Sequence, residues 1–268
     1  MTKFKEFLSY SDNSNDFSNN LHLISNVQND DTLKILKSEV VKIVSNYLNC
    51  EIPNDEDYFL NNIHKIVNKD SVNDLRLHVY NEINSFNWFR PSYFNLAKDN
   101  LFELVGNELA MQAKINVSIQ MPNDESSVLP MHADQYGGES IYQVVMWLPL
   151  VDVFDTKSMY VIPKEFSIEI ESNIKNYAKE GFTDKIFKEY KNKLKFLKVD
   201  YGQVLIFSPN LFHGNIMNET SSTRWSFNTR IKSLFSPYVS EEKDLGNFYQ
   251  PIIVRPVTKN ALEYKYPE

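Results

Sequence analysis

The segment HGNIMNETSSTRWSFNTR, residues 213–230, contains the strand pattern on which the predicted fold depends. Its second half alternates between polar and mostly aromatic side chains, and successive side chains of a strand point to opposite faces. One face of the predicted strand therefore carries Arg224, Ser226, Asn228 and Arg230. A turn at residues 218–222 would return the chain beside His213. The segment thus predicts two neighbouring antiparallel strands.

Strand patterns of the same kind fill residues 113–238, and they predict about eight strands. Residues 1–112 predict a mainly helical N-terminal layer, and residues 239–268 a C-terminal extension. A charged, mostly helical insert at about 166–197 interrupts the strands. Many short strands that follow helices favour an α+β fold, most simply a jelly roll, in which two sheets form a barrel. We expect one domain over residues 1–268.

The N-terminal layer begins with polar residues rich in Asn, Asp and Ser at positions 1–30, which predict a loose arm with a short strand or turn. Apolar residues at three- and four-residue spacing then predict four helices. These helices lie within residues 31–48, 52–67, 70–86 and 92–106.

Composition excludes several classes of protein. The 268 residues carry a net charge of −7, which argues against a general nucleic-acid binder or an anionic-membrane binder. Cys50 is the only cysteine, so a disulfide framework and a cysteine-rich zinc site are excluded. The first twenty residues lack the apolar stretch of a signal peptide. We expect a cytoplasmic protein whose partner is a small molecule; its oligomeric state is left open.

The segment PMHADQYGG, residues 130–138, contains a possible pair of metal ligands. On a strand, His132 and Asp134 would point to the same side. His213 follows the apolar strand QVLIF and could supply a third ligand. Two histidines and one carboxylate form the facial triad of non-heme Fe(II) oxygenases. The alternative for this common pattern is a turn in which Asp134 accepts a hydrogen bond from His132.

Arg224 lies eleven residues after His213, on the predicted polar face. A guanidinium group matches a carboxylate with two parallel hydrogen bonds. Arg224 and Ser226 could therefore hold the distal carboxylate of 2-oxoglutarate. The alternative is that this polar face meets solvent and that the aromatic face forms the core. Periodicity groups the side chains but leaves both alternatives open.

The spacing of His132, Asp134, His213 and Arg224 resembles that of the Fe(II)/2-oxoglutarate-dependent oxygenases. The stretch VVMWLPLVDVFDTKSMYVIPKE, residues 144–165, resembles the phytanoyl-CoA hydroxylase-like branch. Within that branch it is similar to the bacterial "sporadic carbohydrate cluster" enzymes. The resemblance covers about residues 113–238.

This resemblance implies a double-stranded β-helix, or cupin-like barrel, that uses Fe(II), 2-oxoglutarate and dioxygen. It implies the iron ligands His132, Asp134 and His213, with Arg224 and Ser226 on 2-oxoglutarate. The implied reaction oxidises, by hydroxylation in the simplest case, a small polar metabolite such as a sugar, a nucleotide-sugar or a glycan or aminoglycoside precursor. Succinate and CO2 would be released.

Further cavity residues are expected with less direct support. Trp147 resembles by position a tryptophan that lines the cosubstrate pocket, and core packing is its alternative. Gln120 lies nearest the loop leading to His132 and is a candidate beside the cosubstrate. Four more residues are candidate substrate contacts, namely Asn228, Arg230, Gln135 and Tyr136.

Two departures and two rival functions accompany this interpretation. The branch usually carries an Asn-Gly-x-Leu turn and a Gly-Ser-His after the proline, whereas this chain reads TKSMYVIPKEF. Transfer of substrate contacts is therefore unsupported. One rival is a cupin-like isomerase or epimerase that uses another metal. The other is a non-catalytic protein that binds 2-oxoglutarate or a sugar.

Overall fold

The computed structural model describes residues 16–177 and 182–265. The arm predicted at residues 1–30 lies partly outside these ranges. Its described part contains helix α1, Asp16–Asn20, and strand β1, His22–Asn26. Within the described ranges, no helix has the length and apolar character needed to cross a membrane.

Helices form the first layer of the fold, as predicted. The long helix α2, Asp30–Leu48, begins where the Asn29 side chain accepts a hydrogen bond from the Thr32 amide at 2.8 Å. It ends at Asn49, whose φ of 52° is left-handed. The layer continues with α3 (Glu56–Asn61), α4 (Val72–Ser85), α5 (Phe89–Asn95) and α6 (Lys98–Leu104).

The fourth predicted helix, at 92–106, is instead two helices. Gln28 causes the break, because its amide donates to the Leu96 carbonyl and its side chain accepts from the Asp99 amide. These two hydrogen bonds give partners to the Leu96 carbonyl and the Asp99 amide, which in a continuous helix would pair with other backbone groups of that helix. Strands also flank the layer, since β1 precedes α2 and β2, Leu109–Gln112, follows α6.

The major sheet is antiparallel and is organised around β9, Arg224–Ser233, the longest strand that is described. One edge of β9 pairs first with β3 and then with β2, and its other edge pairs with β4. The full order is β1-β7-β4-β9-β2-β10, with β3 beside β9. The strands not yet defined are β3 (Asn116–Gln120), β4 (Gln143–Pro149), β7 (Gln203–Phe207) and β10 (Tyr249–Ile253).

A minor sheet has the order β6-β5-β8, formed by Lys195–Phe196, Tyr160–Val161 and His213–Gly214. Two expectations are corrected here. The described strands leave both sheets open, so they form no closed barrel. The predicted hairpin is also wrong, because β8 and β9 belong to different sheets. β8 pairs with β5 and not with β9, the strand that follows it along the chain.

Both faces of β9 are buried, which answers the question that periodicity left open. Trp225 and Phe227 pack against the helical layer, where Phe227 contacts the rings of Phe89 and Tyr93. The Trp225 indole also donates to the Leu60 carbonyl at 2.9 Å. The polar face of β9 is therefore turned inward on the other side of the sheet.

The helical insert contains α7 (Lys164–Ser172), α8 (Ile174–Tyr177) and α9 (Phe182–Tyr190). It begins and ends close to the predicted bounds of about 166–197. Its buried residues Ile170 and Ile186 pack with Phe212, which precedes His213. The predicted C-terminal extension supplies β10 to the major sheet and then helix α10, Pro256–Glu263.

Candidate metal centre

Two backbone hydrogen bonds place His132 beside His213. The His132 amide donates to the His213 carbonyl at 2.9 Å, and the His213 amide donates to the His132 carbonyl at 2.8 Å. The two residues form an isolated antiparallel bridge, and their ring centroids lie 4.3 Å apart. Residues that are 81 positions apart in sequence thus meet as a directly facing pair.

Asp134 completes the cluster from a short 3-10 helix, Asp134–Gly137, rather than from a strand. The expected same-side placement nevertheless occurs, because its Oδ1 lies 3.3 Å from Nε2 of His132. One ligand atom from each of Asp134, His132 and His213 can be chosen so that all three lie within 4.8 Å of one another. Within the described residues, these three form the one cluster of this kind.

The orientation of both imidazoles suits metal binding. Nδ1 of His132 lies 2.8 Å from the Pro130 carbonyl, and Nδ1 of His213 lies 2.9 Å from the Leu211 carbonyl. A carbonyl accepts, so Nδ1 carries the proton in both rings and Nε2 keeps its lone pair. Backbone carbonyls commonly orient metal-binding histidines in this way.

Electrostatics keep His213 and Asp134 in the protonation states that metals require. Burial, followed by the neighbouring His132, lowers the pKa of His213 to about 4, so the ring is neutral at physiological pH. Burial by itself raises the pKa of Asp134. Contact with the His132 ring and the electrostatic effect of His213 and Arg230 outweigh burial and hold that pKa well below its usual range.

The cluster opens into a cavity of about 740 Å³. This volume lies within the range of small-molecule sites. Val145 and Trp147 of β4, Phe207 of β7 and the polar side chains of β9 line it together with the three clustered residues. The major sheet therefore supplies one wall of the cavity, and the bridge between His132 and His213 supplies another.

Arg224 is buried in this cavity without a carboxylate partner among the described residues. Only 5% of its surface is exposed. Its Nη2 donates to Oγ of Ser118 at 3.3 Å, and its Nε lacks a partner in the described structure. Burial lowers the pKa of Arg224 to about 10, which leaves the guanidinium charged at neutral pH. An unpaired buried cation is costly unless a ligand supplies the anion.

Other sequence-predicted residues surround Arg224. Ser226 is buried on the same strand face, and its Oγ has no described partner. Trp147 and Asn228 line the cavity, and Asn228 accepts a hydrogen bond from Asn116 at 3.0 Å. Gln120 faces Arg224 across the β3–β9 ladder, but its side-chain amide donates to the Ile216 carbonyl at 2.6 Å. Its Oε1 is left without a described partner.

The three remaining candidate substrate contacts have protein partners. Arg230 lines the cavity but pairs with Asp134 and, at 3.3 Å, with Glu139. Gln135 and Tyr136 are absent from the residues that line the cavity. Gln135 donates to Glu171 of α7 at 2.7 Å, and Tyr136 contacts Phe182 of α9. These two side chains therefore join the 3-10 helix to the helical insert.

Sequence reasoning missed part of the cavity wall. Arg76 lines it from α4, Lys69 from the turn before that helix, and Ser127 and Asn215 from loops. Helical periodicity places Arg76 on a polar face, and nothing in that pattern distinguishes a cavity from solvent. Only the tertiary packing of α4 beside β3 reveals its position.

Comparison with known proteins gives no matching family model and no significant match to a curated protein. Solved structures with similar folds include the non-heme monooxygenase ThoJ in a nickel complex. ThoJ is 15% identical, with a TM-score of 0.53, and the match covers 89% of this chain and 82% of ThoJ.

Two further structures have the same fold. EctD from S. alaskensis with 2-oxoglutarate and 5-hydroxyectoine is 15% identical, with a TM-score of 0.51, over 81% of this chain and 74% of EctD. HygX from Streptomyces hygroscopicus with nickel and 2-oxoglutarate is 13% identical, with a TM-score of 0.51, over 82% of this chain and 85% of HygX. At these identities the likeness establishes a shared fold.

Proposed function

We propose that this chain is an Fe(II)- and 2-oxoglutarate-dependent oxygenase that acts on a small polar metabolite. One observation carries the proposal: the His132, Asp134 and His213 cluster shares a cavity with the buried, unpaired guanidinium of Arg224. The first feature suits a divalent metal, and the second suits a carboxylate. 2-Oxoglutarate is a ligand that requires both. The similar structures of EctD and HygX contain 2-oxoglutarate, which supports the proposal.

The donor set fits ferrous iron. Two neutral imidazole nitrogens and one carboxylate leave further coordination positions for other ligands, as in the facial triad of non-heme iron oxygenases. The side chains are also restrained before metal binding, because both rings are held by backbone carbonyls and Asp134 is held by Arg230. His132, Asp134 and His213 are therefore the residues that would hold the ion.

The surroundings of Arg224 fit the distal carboxylate of 2-oxoglutarate. The Ser118 hydroxyl lines the cavity and accepts from Arg224, and the Ser226 hydroxyl is buried on the same face of β9 as Arg224 and is unpartnered in the described structure. Trp147 adds an apolar surface. Arg224 would bind the carboxylate with charge-assisted hydrogen bonds, and Ser226 would donate a further one.

Bound Fe(II) and 2-oxoglutarate would supply the oxidising chemistry with dioxygen as the oxidant, and succinate and CO2 would be the coproducts. The protein residues bind and orient. His132, Asp134 and His213 fix the metal position, Arg224 fixes the cosubstrate, and Trp147, Val145 and Phe207 exclude water from their surroundings. The resemblance in sequence favours a sugar, nucleotide-sugar or glycan precursor as the substrate. The single free cysteine, Cys50, fits a cytoplasmic location.

The proposal is tested by anaerobic titration of the protein with Fe(II) and 2-oxoglutarate. We expect a weak metal-to-ligand charge-transfer band in the visible spectrum and slow formation of succinate under air. His213→Ala should abolish the band through loss of the metal. Arg224→Gln should leave metal affinity unchanged and weaken 2-oxoglutarate binding by at least about tenfold.

The controls separate the rival functions. Arg255→Gln alters an arginine of the C-terminal region that is absent from the cavity lining, and it should match the wild type. A metal-dependent isomerase would bind metal but show neither the band nor succinate. That result, or equal 2-oxoglutarate affinity in Arg224→Gln and the wild type, would contradict the proposal.

A further inference from the structure

The cavity carries more positive charge than the proposed chemistry uses. Its lining contains four permanently basic side chains and one carboxylate, in a chain whose net charge is −7. Arg230 is paired with Asp134 and Glu139, and Arg224 is assigned to the cosubstrate. Lys69 and Arg76 remain. Neither forms an ion pair with a residue in the described parts of the chain.

Arg76 is held in place without being neutralised. Its Nε and Nη2 donate to Oδ1 of Asn73 at 3.1 and 2.8 Å. Asn73 is a neutral amide one helical turn earlier, and it also lines the cavity. The contact therefore orients the guanidinium group and leaves its full charge, together with its Nη1 protons, available to a ligand.

Lys69 is an exposed residue that also lines the cavity. Its ammonium donates one hydrogen bond to the Asn123 backbone carbonyl, so two of its three protons remain. Ser127 lines the cavity from the loop after β3, and its Oγ is buried without a described partner. Two cations and an unpartnered hydroxyl thus line the cavity that contains the metal cluster.

We propose that Lys69 and Arg76 bind a phosphate or carboxylate group of the substrate, so that the substrate is an anionic small molecule. Two cations can bind one such group with several charge-assisted hydrogen bonds, and Ser127 could add another. The assignment of this ligand as the substrate rests on the proposed oxygenase function. The anion site itself rests on Lys69, Arg76 and Ser127.

Isothermal titration of inorganic pyrophosphate into protein saturated with Fe(II) and 2-oxoglutarate, without oxygen, tests the site. The wild type should bind pyrophosphate saturably. Because 2-oxoglutarate already occupies Arg224, this binding would report on a different site. Lys69→Gln combined with Arg76→Gln should weaken this binding by at least about tenfold. Malonate is titrated in parallel, and the tighter of the two ligands identifies the site as one for phosphate or for carboxylate.

A matched control changes the same net charge elsewhere. Lys34→Gln combined with Lys42→Gln removes two exposed lysines of α2 that pair only with neighbours on their own helix, and it should bind both anions as the wild type does. Arg76→Lys keeps the charge and should recover part of the affinity. Circular dichroism verifies that each variant is folded.

Three outcomes would overturn the anion site. They are no saturable binding of either anion by the wild type, equal binding by the Lys69/Arg76 double variant, and binding that is lost in Arg224→Gln alone. The charge-transfer band does not depend on Lys69 or Arg76. An absent band with anion binding that depends on these two residues would refute the oxygenase function and leave the anion site standing.

Discussion

Arg230 donates a hydrogen bond from Nη2 to Oδ2 of Asp134 at 3.0 Å, so the two oxygens of this carboxylate have different partners. Oδ2 is held by the guanidinium, whereas Oδ1 lies 3.3 Å from Nε2 of His132. The carboxylate is therefore arranged to offer one oxygen to a metal. Arg230 is a positioning residue in this structure.

Removal of this contact should weaken metal binding. We expect Arg230→Met to lower Fe(II) affinity by about 10- to 100-fold, the usual effect of losing a residue that orients a ligand. Anaerobic Fe(II) titration measures the change. Glu139→Gln removes the other carboxylate partner of Arg230 but keeps its contact with Asp134, so it should have a smaller effect. Equal affinity in Arg230→Met and the wild type would refute the positioning role.

Arg224 should destabilise the protein when no ligand is bound. Its guanidinium is buried and has no anionic partner among the described residues, so replacement by an apolar side chain of similar length removes a desolvation cost. We expect Arg224→Met to raise the free energy of unfolding by about 1–4 kcal/mol while abolishing 2-oxoglutarate binding. Urea denaturation of ligand-free protein measures the first effect. A less stable variant would mean that Arg224 has a structural role.

His213 should make the metal-free protein sensitive to acid. Its pKa is lowered to about 4, against an ordinary value of 6.5, so the unfolded chain binds a proton in this interval and the folded protein does not. The contribution of His213 to the free energy of unfolding should therefore be constant above about pH 7 and fall as the pH drops from 6.5 towards 4. Chemical denaturation of chelator-treated protein across this range measures the slope.

The matched variant is His213→Gln, which cannot titrate. Its stability should vary less between pH 6.5 and 4 than that of the wild type. Asp134, whose pKa is also depressed, contributes at lower pH, because its stabilising effect is lost only as the pH falls below its ordinary value of 3.8. Parallel curves for wild type and variant would contradict the assignment.

Gly214 follows His213 at a point where the chain has no room for a side chain. A Cβ added there would lie 2.5 Å from the Tyr160 hydroxyl and 2.8 Å from the Leu129 carbonyl. We expect Gly214→Ala to destabilise the protein by about 1–3 kcal/mol through overpacking, and to weaken metal binding because β8 must move. Thermal unfolding and Fe(II) titration measure the two effects. Gly106→Ser, at a glycine with open space around it but a φ of 124°, should destabilise the protein through backbone strain and leave metal affinity unchanged.

Local sequence patterns predict local structure well in this protein. The periodicity of residues 31–48 predicts α2 almost to its bounds, and the alternation from Arg224 to Arg230 predicts one polar face of β9. The pattern leaves open which face is buried. The structure shows why, since both faces are covered, one by Phe89 and Tyr93 and the other by the cavity.

Long-range relationships lie beyond such patterns. Adjacency in sequence predicts that the strand of His213 pairs with β9, yet it pairs with β5, which is more than fifty residues earlier. His132 and Asp134 were expected on one strand. Instead, His132 lies in a β-bridge and Asp134 begins a 3-10 helix, and their side chains still point to the same side. Arg76 reaches the cavity wall through the packing of α4 against β3, which no local signal in the sequence predicts.

The double hydrogen bond between His132 and His213 has a thermodynamic consequence. Proteins that assemble their ligands only around an ion use part of the binding energy to order the chain, and they unfold when the ion is withdrawn. Here the backbone itself aligns two of the three ligands before any ion arrives. Most of the conformational entropy of assembly is therefore lost during folding. A chelator should empty this centre without dismantling the architecture around it.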